Sequence, residues 1–215
     1  MELKNWDGVI WNPREIEEES MRLVAGFLQE LRLPPGEKAV VSRIVHTSGD
    51  PELAQLVRFH PQAVESGLAA LKQGAHIFTD VTMLEAGINR RRLTELGGAV
   101  HCAVHTPEVA AEATARGITR SAVAMENFGQ QLQGQVVAIG NAPTALFALL
   151  DMIAEGLRPA LVVGMPVGFV GAARSKELLL LQQNVPCITV LGTRGGSPLA
   201  AATINALLYY KEPTV

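Results

Sequence analysis

The sequence has little charge, few aromatic residues and only two cysteines. Charged residues make up 18% of the 215 positions and aromatic residues 5%, whereas 48% of the residues are hydrophobic. A chain this apolar falls outside the class of intrinsically disordered proteins, which are rich in charge and poor in hydrophobic residues. The length fits one large α/β domain or two small ones. We therefore expect a well-filled globular protein.

Excess positive charge is also lacking. Lys and Arg contribute 18 charges and Asp and Glu contribute 21, which gives a formal net charge of -3. Without a basic excess the chain is poorly suited to a phosphate backbone, so we expect no nucleic-acid partner. The N-terminus lacks the apolar stretch of a signal peptide, and every apolar run of membrane-spanning length contains a charge. We expect no membrane partner and a cytoplasmic location.

The cysteines match neither a metal motif nor a disulfide framework. Cys102 and Cys187 lie far apart in apolar contexts, which is typical of buried, reduced thiols. His101 and His105 flank Cys102 at a spacing that keeps both on one side of a strand. A zinc site normally needs a third protein ligand, and none is evident nearby. We therefore expect no bound metal.

Five short apolar runs predict the strands of a sheet. Helical segments separate nearly all of these runs, which is typical of a mostly parallel sheet covered on both faces. The fold prediction is a single, doubly wound α/β domain over residues 1–215. Its mainly helical N-terminal part covers 1–74 and its sheet core covers 75–215. The five predicted strands lie within 76–81, 99–104, 135–139, 160–163 and 186–191.

Two helices are predicted in the N-terminal part. Asn12 and Pro13 have the residue types of an N-cap and a first helical position, and Pro34 must stop the helix that they begin. Apolar residues at helical spacing predict a second helix over 38–48, although their β-branching also allows a strand. The helical interpretation places His46 in the last turn, just before a polar turn.

Three predicted strand-to-helix loops are rich in glycine and small residues: 140–144, 164–171 and 192–197. In doubly wound folds, ligands bind beyond the carboxyl ends of the strands. Exposed N–H groups at a helix N-terminus favour carboxylate or phosphate. None of the three loops has the spacing of a dinucleotide-binding fingerprint. Anion binding and tight turns both remain open for these loops.

Several polar residues occupy positions suited to chemistry. His46 could act as an acid or base near neutral pH, or it could be a helix-end histidine that interacts with the helix dipole. Thr82 follows a predicted strand, where substrate contact and an N-cap are equally good explanations. Arg120 lies in a loop or first helical turn and Asn141 in a glycine-rich loop. The cations are 13 Arg and 5 Lys, which makes an anionic small molecule worth considering beside ordinary surface ion pairs.

The loop sequences closely resemble those of the precorrin-8X methylmutase family, which includes the cobalt-precorrin-8 methylmutases. The resemblance spans nearly the whole chain. It is carried by Arg-Ile-Val-His-Thr-Ser-Gly-Asp (43–50), Thr-Asp-Val-Thr-Met (79–83), Thr-Arg-Ser-Ala (119–122), Val-Val-Ala-Ile-Gly-Asn-Ala-Pro-Thr-Ala-Leu (136–146), Gly-Met-Pro-Val-Gly-Phe-Val-Gly-Ala-Ala (164–173) and Gly-Gly-Ser (195–197).

This resemblance implies an isomerase of cobalamin biosynthesis. Such an enzyme moves a methyl group from ring carbon 11 to ring carbon 12 of precorrin-8X or cobalt-precorrin-8, giving hydrogenobyrinate or cobyrinate, and it needs no cofactor. The protein must hold the macrocycle in a reactive geometry and make its π system more electron-poor. The resemblance implies that His46 is the acid that gives and recovers a proton. It also implies that Ser20 and Arg43 bind substrate, and position and chemistry add Thr82, Arg120 and Asn141 as further substrate contacts.

The family resemblance further implies a homodimer whose active site lies near the subunit junction. The expected ligand is a corrinoid macrocycle with several carboxylates. Two other interpretations remain open. A non-catalytic corrinoid carrier would use the same arginines and glycine loops without a titrating acid. A nucleotide-dependent enzyme on a Rossmann-like fold would use the glycine loops for phosphate.

Overall fold

Helices and strands alternate along residues 8–211, which are the residues that the structure, a computed structural model, describes. The strands are β1 (Val57–Phe59), β2 (Ile77–Thr79), β3 (Val100–Cys102), β4 (Val136–Ile139), β5 (Leu161–Gly164) and β6 (Cys187–Val190). The helices are α1 (Pro13–Phe27), α2 (Pro35–Ser48), α3 (Ala63–Lys72), α4 (Thr82–Gly87), α5 (Arg90–Glu95), α6 (Pro107–Arg116), α7 (Arg120–Phe128), α8 (Pro143–Ala154), α9 (Ala172–Leu181) and α10 (Ser197–Tyr209).

The strands form one mixed sheet in the order β1-β6-β5-β4-β2-β3. All five predicted strands are present and pair in parallel, so the α/β class is confirmed. The prediction of five strands was wrong, because β1 pairs antiparallel with β6 at one edge and makes a sixth. That strand has only three residues, with Arg58 exposed between Val57 and Phe59. So short a run, interrupted by a charge, gives no apolar signal of its own.

Apolar side chains cover both faces of the sheet. In β4, Val136 and Ala138 join a cluster that includes residues of α2, α3, α4 and α10. The alternate residues Val137 and Ile139 join a second cluster with residues of α7, α8 and α9. Successive side chains of a strand point to opposite faces, so a strand between two helical layers must be apolar throughout. Because of this burial, the strands of the core appear in the sequence as continuous apolar runs.

The first N-terminal helix begins at the predicted cap, but it ends at Phe27, seven residues before Pro34, where the sequence predicted its stop. The Asn12 side chain accepts a hydrogen bond from the backbone N–H of Arg14 at 2.9 Å and so caps α1. Helix α2 begins at Pro35, three residues before the predicted start. It ends at Gly49, which adopts φ 66°, a left-handed conformation that glycine adopts without steric cost. The β-branched residues of α2 are buried at helical spacing, which excludes the strand interpretation of this segment.

The two thiols are reduced and lie in the sheet. Burial raises the pKa of Cys102, and burial raises that of Cys187 to about 11. Within residues 8–211, no group of three or more His, Cys, Asp or Glu side chains is placed to hold a metal ion. No helix in this range is long and apolar enough to cross a membrane.

Two histidines stack at the β2–β3 edge of the sheet. His76 Nδ1 and His101 Nε2 are 2.7 Å apart and share a hydrogen bond, and the two rings lie 5.0 Å apart. Phe78 stacks against the same His101 ring at 4.8 Å. Burial, and secondarily the charge of His76, lower the pKa of His101 from its ordinary 6.5, while Glu85 opposes the shift. This packing therefore favours the neutral form of His101.

The lowered pKa of His101 predicts that acid destabilises this edge of the sheet. As the pH falls below about 6.5, His101 is protonated in the unfolded chain before it is protonated in the folded chain. The contribution of His101 to the free energy of unfolding therefore decreases as the pH falls. We expect His101→Gln to flatten the decline of unfolding free energy between about pH 7 and pH 5, as measured by urea titration. His105→Gln, at an exposed histidine, is the control. Equal slopes for wild type and His101→Gln would contradict the assignment.

Candidate functional site

A cavity of about 650 Å³ opens between α2, α10 and the turn after α4. We call it the His46 cavity. Helix α2 supplies charged and polar side chains, α10 supplies two alanines with a proline, an amide and a tyrosine, and a glycine and an amide lie at and just after the end of α4. The lining residues are Arg43, His46, Thr47, Gly87, Asn89, Pro198, Ala201, Ala202, Asn205 and Tyr209.

Arg43 and His46 project from one face of α2. They are three residues apart, which places them one turn apart, about 4.5 Å along the helix axis. His46 is exposed and Arg43 is half-buried. Within the part of the chain that the structure describes, neither side chain has a hydrogen-bond or ion-pair partner. Both therefore remain available to a ligand, one as a proton donor or acceptor and the other as a carboxylate-binding fork.

Small residues make room for the cavity on the α10 side. Ala201 and Ala202 are its lining residues at the middle of this helix. Gly87, at the end of α4, approaches α10 so closely that a Cβ added there would lie 2.8 Å from the Cβ of Ala201. Larger side chains at these positions would occupy the space or push the helices apart.

A polar network of three side chains forms one wall of the cavity. Asn89 donates from its side-chain amide to the Tyr209 hydroxyl at 2.7 Å, and its backbone N–H donates to Asn205 Oδ1 at 2.9 Å. The Asn205 amide in turn donates to the Gly87 carbonyl at 2.9 Å. Sequence reasoning missed all three side chains. The available signal was Asn205, since an amide within the otherwise largely apolar stretch 199–208 needs a partner.

Arg194 links the end of α2 to the loop before α10. Its guanidinium donates to Asp50 Oδ2 and Glu52 Oε2, both at 3.0 Å. Its backbone carbonyl accepts a 2.5 Å hydrogen bond from the Lys176 ammonium. Lys176 is fully buried, and burial lowers its pKa to about 8. Since Asp50 follows α2 and Arg194 precedes α10, the two helices run in opposite directions, and His46 lies toward the beginning of α10.

At the carboxyl edge of the sheet, the crevice in which doubly wound folds usually bind ligands is occupied by the side-chain carboxylate of Asp80. Asp80, directly after β2, accepts hydrogen bonds from the backbone N–H groups of Gly140, Asn141 and Ala142 at 2.9, 2.9 and 2.7 Å. Burial raises the pKa of Asp80, and these N–H donors oppose the rise. The strand order reverses between β2 and β4, where a doubly wound fold usually binds its ligand. Here Asp80 occupies the anion position at the N-terminus of α8.

The other predicted site residues lie outside the His46 cavity. Thr82 begins α4, Arg120 begins α7 and Asn141 precedes α8, so all three follow sheet strands or begin helices near the carboxyl edge. They are exposed. Arg120 lines a separate shallow cavity with residues of α6. Ser20 is half-buried in α1, and its neighbour Met21 lines a second cavity that adjoins Arg43.

Comparison with known proteins places these features in one family. Residues 15–210 match the family model described as precorrin-8X methylmutase. A precorrin-8X methylmutase from Pseudomonas aeruginosa is 45% identical over 182 residues, which cover 84% of this chain and 87% of that protein. A cobalt-precorrin-8 methylmutase from Salmonella typhimurium is 38% identical over 207 residues, which cover 94% of this chain and 97% of that protein.

A solved structure has the same fold. The crystal structure of precorrin-8X methylmutase from Thermus thermophilus superposes with a TM-score of 0.83 at 42% sequence identity. The superposition covers 91% of this chain and 94% of that one. The resemblance found in the loop sequences thus extends through the whole sheet and its helices.

The closed crevice gives a stability prediction for Asp80→Asn. An amide in place of the carboxylate can keep one acceptor but turns an N–H donor toward a backbone N–H, which leaves a buried donor unpaired. We expect a loss of at least about 2 kcal/mol in the free energy of unfolding, measured by urea titration. Asp151→Asn, on the exposed side of α8, should change it by less than about 0.5 kcal/mol. Equal stability of the two variants would show that Asp80 does not hold the loop.

Proposed function

The chain belongs to the precorrin-8X methylmutase family, and we propose that its His46 cavity is where the methyl shift of this family takes place. The protein is an isomerase of cobalamin biosynthesis. The reaction moves a methyl group from ring carbon 11 to ring carbon 12 of precorrin-8X or cobalt-precorrin-8. The bond to carbon 11 breaks and the bond to carbon 12 forms within one molecule, so the reaction needs no oxidant, reductant or acceptor.

The observation that carries the proposal is the pairing of Arg43 with His46 on one helix face above an open cavity. His46 supplies an imidazole with no partner among residues 8–211, and Arg43 supplies a cation one turn away. The opposite wall is built from alanines and an amide network. A flat, largely apolar ring with acidic side chains matches this combination of surfaces.

His46 acts as the acid in this proposal. It donates a proton to a ring nitrogen of the bound substrate, which draws electron density from the π system and favours migration of the methyl group. The same proton returns to His46 when the product forms, so the imidazole is regenerated within one turnover. An imidazole suits this exchange because its ordinary pKa lies near neutral pH.

Arg43 holds a carboxylate of the macrocycle beside the acid. Its guanidinium is suited to a bidentate contact, which fixes the ring relative to His46. We assign Ser20 to the same end of the substrate because its neighbour Met21 lines the adjoining cavity. Thr82, Arg120 and Asn141 are assigned to the parts of the macrocycle that extend toward the carboxyl edge of the sheet.

We also propose that the protein acts as a homodimer. The glycine-rich loop after β5 presents Phe169, 95% exposed, and Val170, 90% exposed. The neighbouring glycines Gly168 and Gly171 adopt φ 135° and 82°, so the loop projects through conformations that only glycine readily adopts. Burial of two adjacent, exposed, large apolar side chains against another surface is favourable. We assign that surface to a second copy of this chain.

The function is tested by mixing the purified protein with precorrin-8X and, separately, with cobalt-precorrin-8. Freeing ring carbon 11 extends the conjugation, so turnover changes the visible absorption spectrum. We expect His46→Ala to lower kcat by about 10²- to 10⁴-fold, the usual contribution of a general acid, with little change in substrate affinity. His105→Ala should leave kcat unchanged.

Two outcomes would redirect the proposal. A wild-type spectrum that shifts only in proportion to protein, with undiminished binding by His46→Ala, would indicate a corrinoid carrier. Stabilisation by about 2.7 kcal/mol with NAD, ATP or S-adenosylmethionine at ~100-fold Kd would indicate a nucleotide enzyme. The closure of the crevice by Asp80 argues against the second outcome.

The dimer is tested by sedimentation equilibrium of the wild type and of a Phe169→Ser, Val170→Ser variant. We expect a dimer for the wild type and a monomer, or a dimer at least tenfold weaker, for the variant, since the apolar contact is lost. Leu181→Ser, at a residue 70% exposed, is a control for the loss of one exposed apolar side chain. A variant that dimerises as tightly as the wild type would remove this loop from the interface.

A further inference from the structure

A second cavity of about 410 Å³ adjoins the His46 cavity and shares Arg43 and Tyr209 with it. We call it the Lys38 cavity. Met21, Lys38, Ser42, Tyr210 and Lys211 also line it. We propose that it binds a second carboxylate of the substrate through Lys38 and Lys211, and that this contact sets which edge of the macrocycle faces His46. The proposal rests on the function proposed above.

The two cavities lie side by side along α2 and share Arg43 and Tyr209, and we call the pair the groove. From Lys38 to Thr47 the helix rises about 13 Å, and both cavities open along this length. Because α2 and α10 run in opposite directions, the Lys38 end of the groove lies beside the end of α10, where Tyr210 and Lys211 follow. His46 lies near the other end, with Arg43 between them. The groove is therefore long enough to contact one ligand at two separated points.

The charges along this groove have one sign. Lys38, Arg43 and Lys211 line it, and no Asp or Glu among residues 8–211 does. Within that range none of the three has an ion-pair partner. Some arginines elsewhere are neutralised by this chain's own acids, as Arg116 is by Glu112 and Glu126. The groove thus presents three cations and no acid of its own to an anionic ligand.

The position of Lys38 on its helix favours anion binding in addition to the effect of its ammonium charge. It lies in the first turns of α2, where its backbone N–H bonds to the Pro34 carbonyl. A cation near a helix N-terminus is opposed by the helix dipole, and that cost is relieved when an anion binds there. Glu37, the acid next to it, lines a different cavity with Val64 and Leu68 and so does not neutralise this groove.

Two anchors are needed because of the shape of the ligand. Lys38 and Arg43 are five residues apart, about 7.5 Å along the helix, so they can contact one ligand at two separate points. A round macrocycle with acidic groups around its rim can pivot about a single anchor at Arg43. A second anchor at Lys38 and Lys211 fixes the rotation, so that the reacting carbons face His46. Productive orientation is what such a contact adds to catalysis.

The test measures binding of the product hydrogenobyrinate and of its fully esterified form by fluorescence quenching. For Lys38→Gln with Lys211→Gln we expect at least tenfold weaker binding of the acid and unchanged binding of the ester. Lys38→Arg with Lys211→Arg should restore affinity for the acid, which a merely structural role would not predict. Arg14→Gln, an exposed cation on α1, is the matched control and should bind as the wild type does. Steady-state kinetics should show kcat/KM falling in parallel.

Each result has a distinct meaning. A double Gln variant that binds the acid as tightly as the wild type would overturn the second anchor while leaving the methylmutase intact. An equal loss of affinity for acid and ester would assign the effect to structure and would also overturn it. If the wild type neither binds hydrogenobyrinate nor converts precorrin-8X or cobalt-precorrin-8, the proposed function fails and the second anchor fails with it.

Discussion

The packing of α10 between the sheet and helices α2 and α4 is the interaction on which the rest of the structure depends. Most of its residues are buried, and it contacts β4 and β5 on one side and α2, α3 and α4 on others. Its alanines allow this close approach. At Gly87, for example, an added Cβ would lie only 2.8 Å from the Cβ of Ala201. The same small side chains leave space above them. One helix thus supplies both the centre of the core and the floor of the groove.

The closure of the sheet crevice explains why the groove lies between helices. In many doubly wound proteins the reversal of strand order leaves an anion site at a helix N-terminus. Here three backbone N–H groups at that point already bond to Asp80. A ligand phosphate could bind to these N–H groups only by displacing the buried carboxylate of Asp80. Of the three unpaired cations that line the groove, Lys38 and Arg43 lie on α2, which belongs to the N-terminal helices added to the sheet.

The sequence predicted those features that depend on neighbours along the chain. The five parallel strands followed from continuous apolar runs, and the helix that carries His46 followed from apolar residues at helical spacing. The edge strand β1 did not, because pairing with β6 gives it its conformation and its three residues carry no periodicity. Short strands of this kind form only once the partner strand is in place.

Contacts between distant segments were beyond the reach of local patterns. Asn89 bonds to Asn205 across 116 positions, and Arg194 bonds to Asp50 across 144. Each partner taken alone has an ordinary local explanation: Asn89 caps α5, and Arg194 lies in a glycine-rich turn. Their joint effect on the groove appears only when the sheet brings the two segments together.

If the groove is the site of the methyl shift, as we propose, the chemistry of that reaction makes orientation of the ligand its main task. The reaction makes no net exchange of atoms or electrons with the protein, so most of what the protein can contribute is a fixed geometry and one mobile proton that is returned in each turnover. Fixed geometry requires rigid elements, and the helices on both sides of the groove are held by Arg194 at one end and by the Asn89, Asn205 and Tyr209 network along one wall. The mobile proton requires an unpaired imidazole in contact with the ligand, and His46 is the residue to which we assign this role. Leaving several cations unpaired costs some stability in the free protein, and the proposed binding of an anionic macrocycle would recover it.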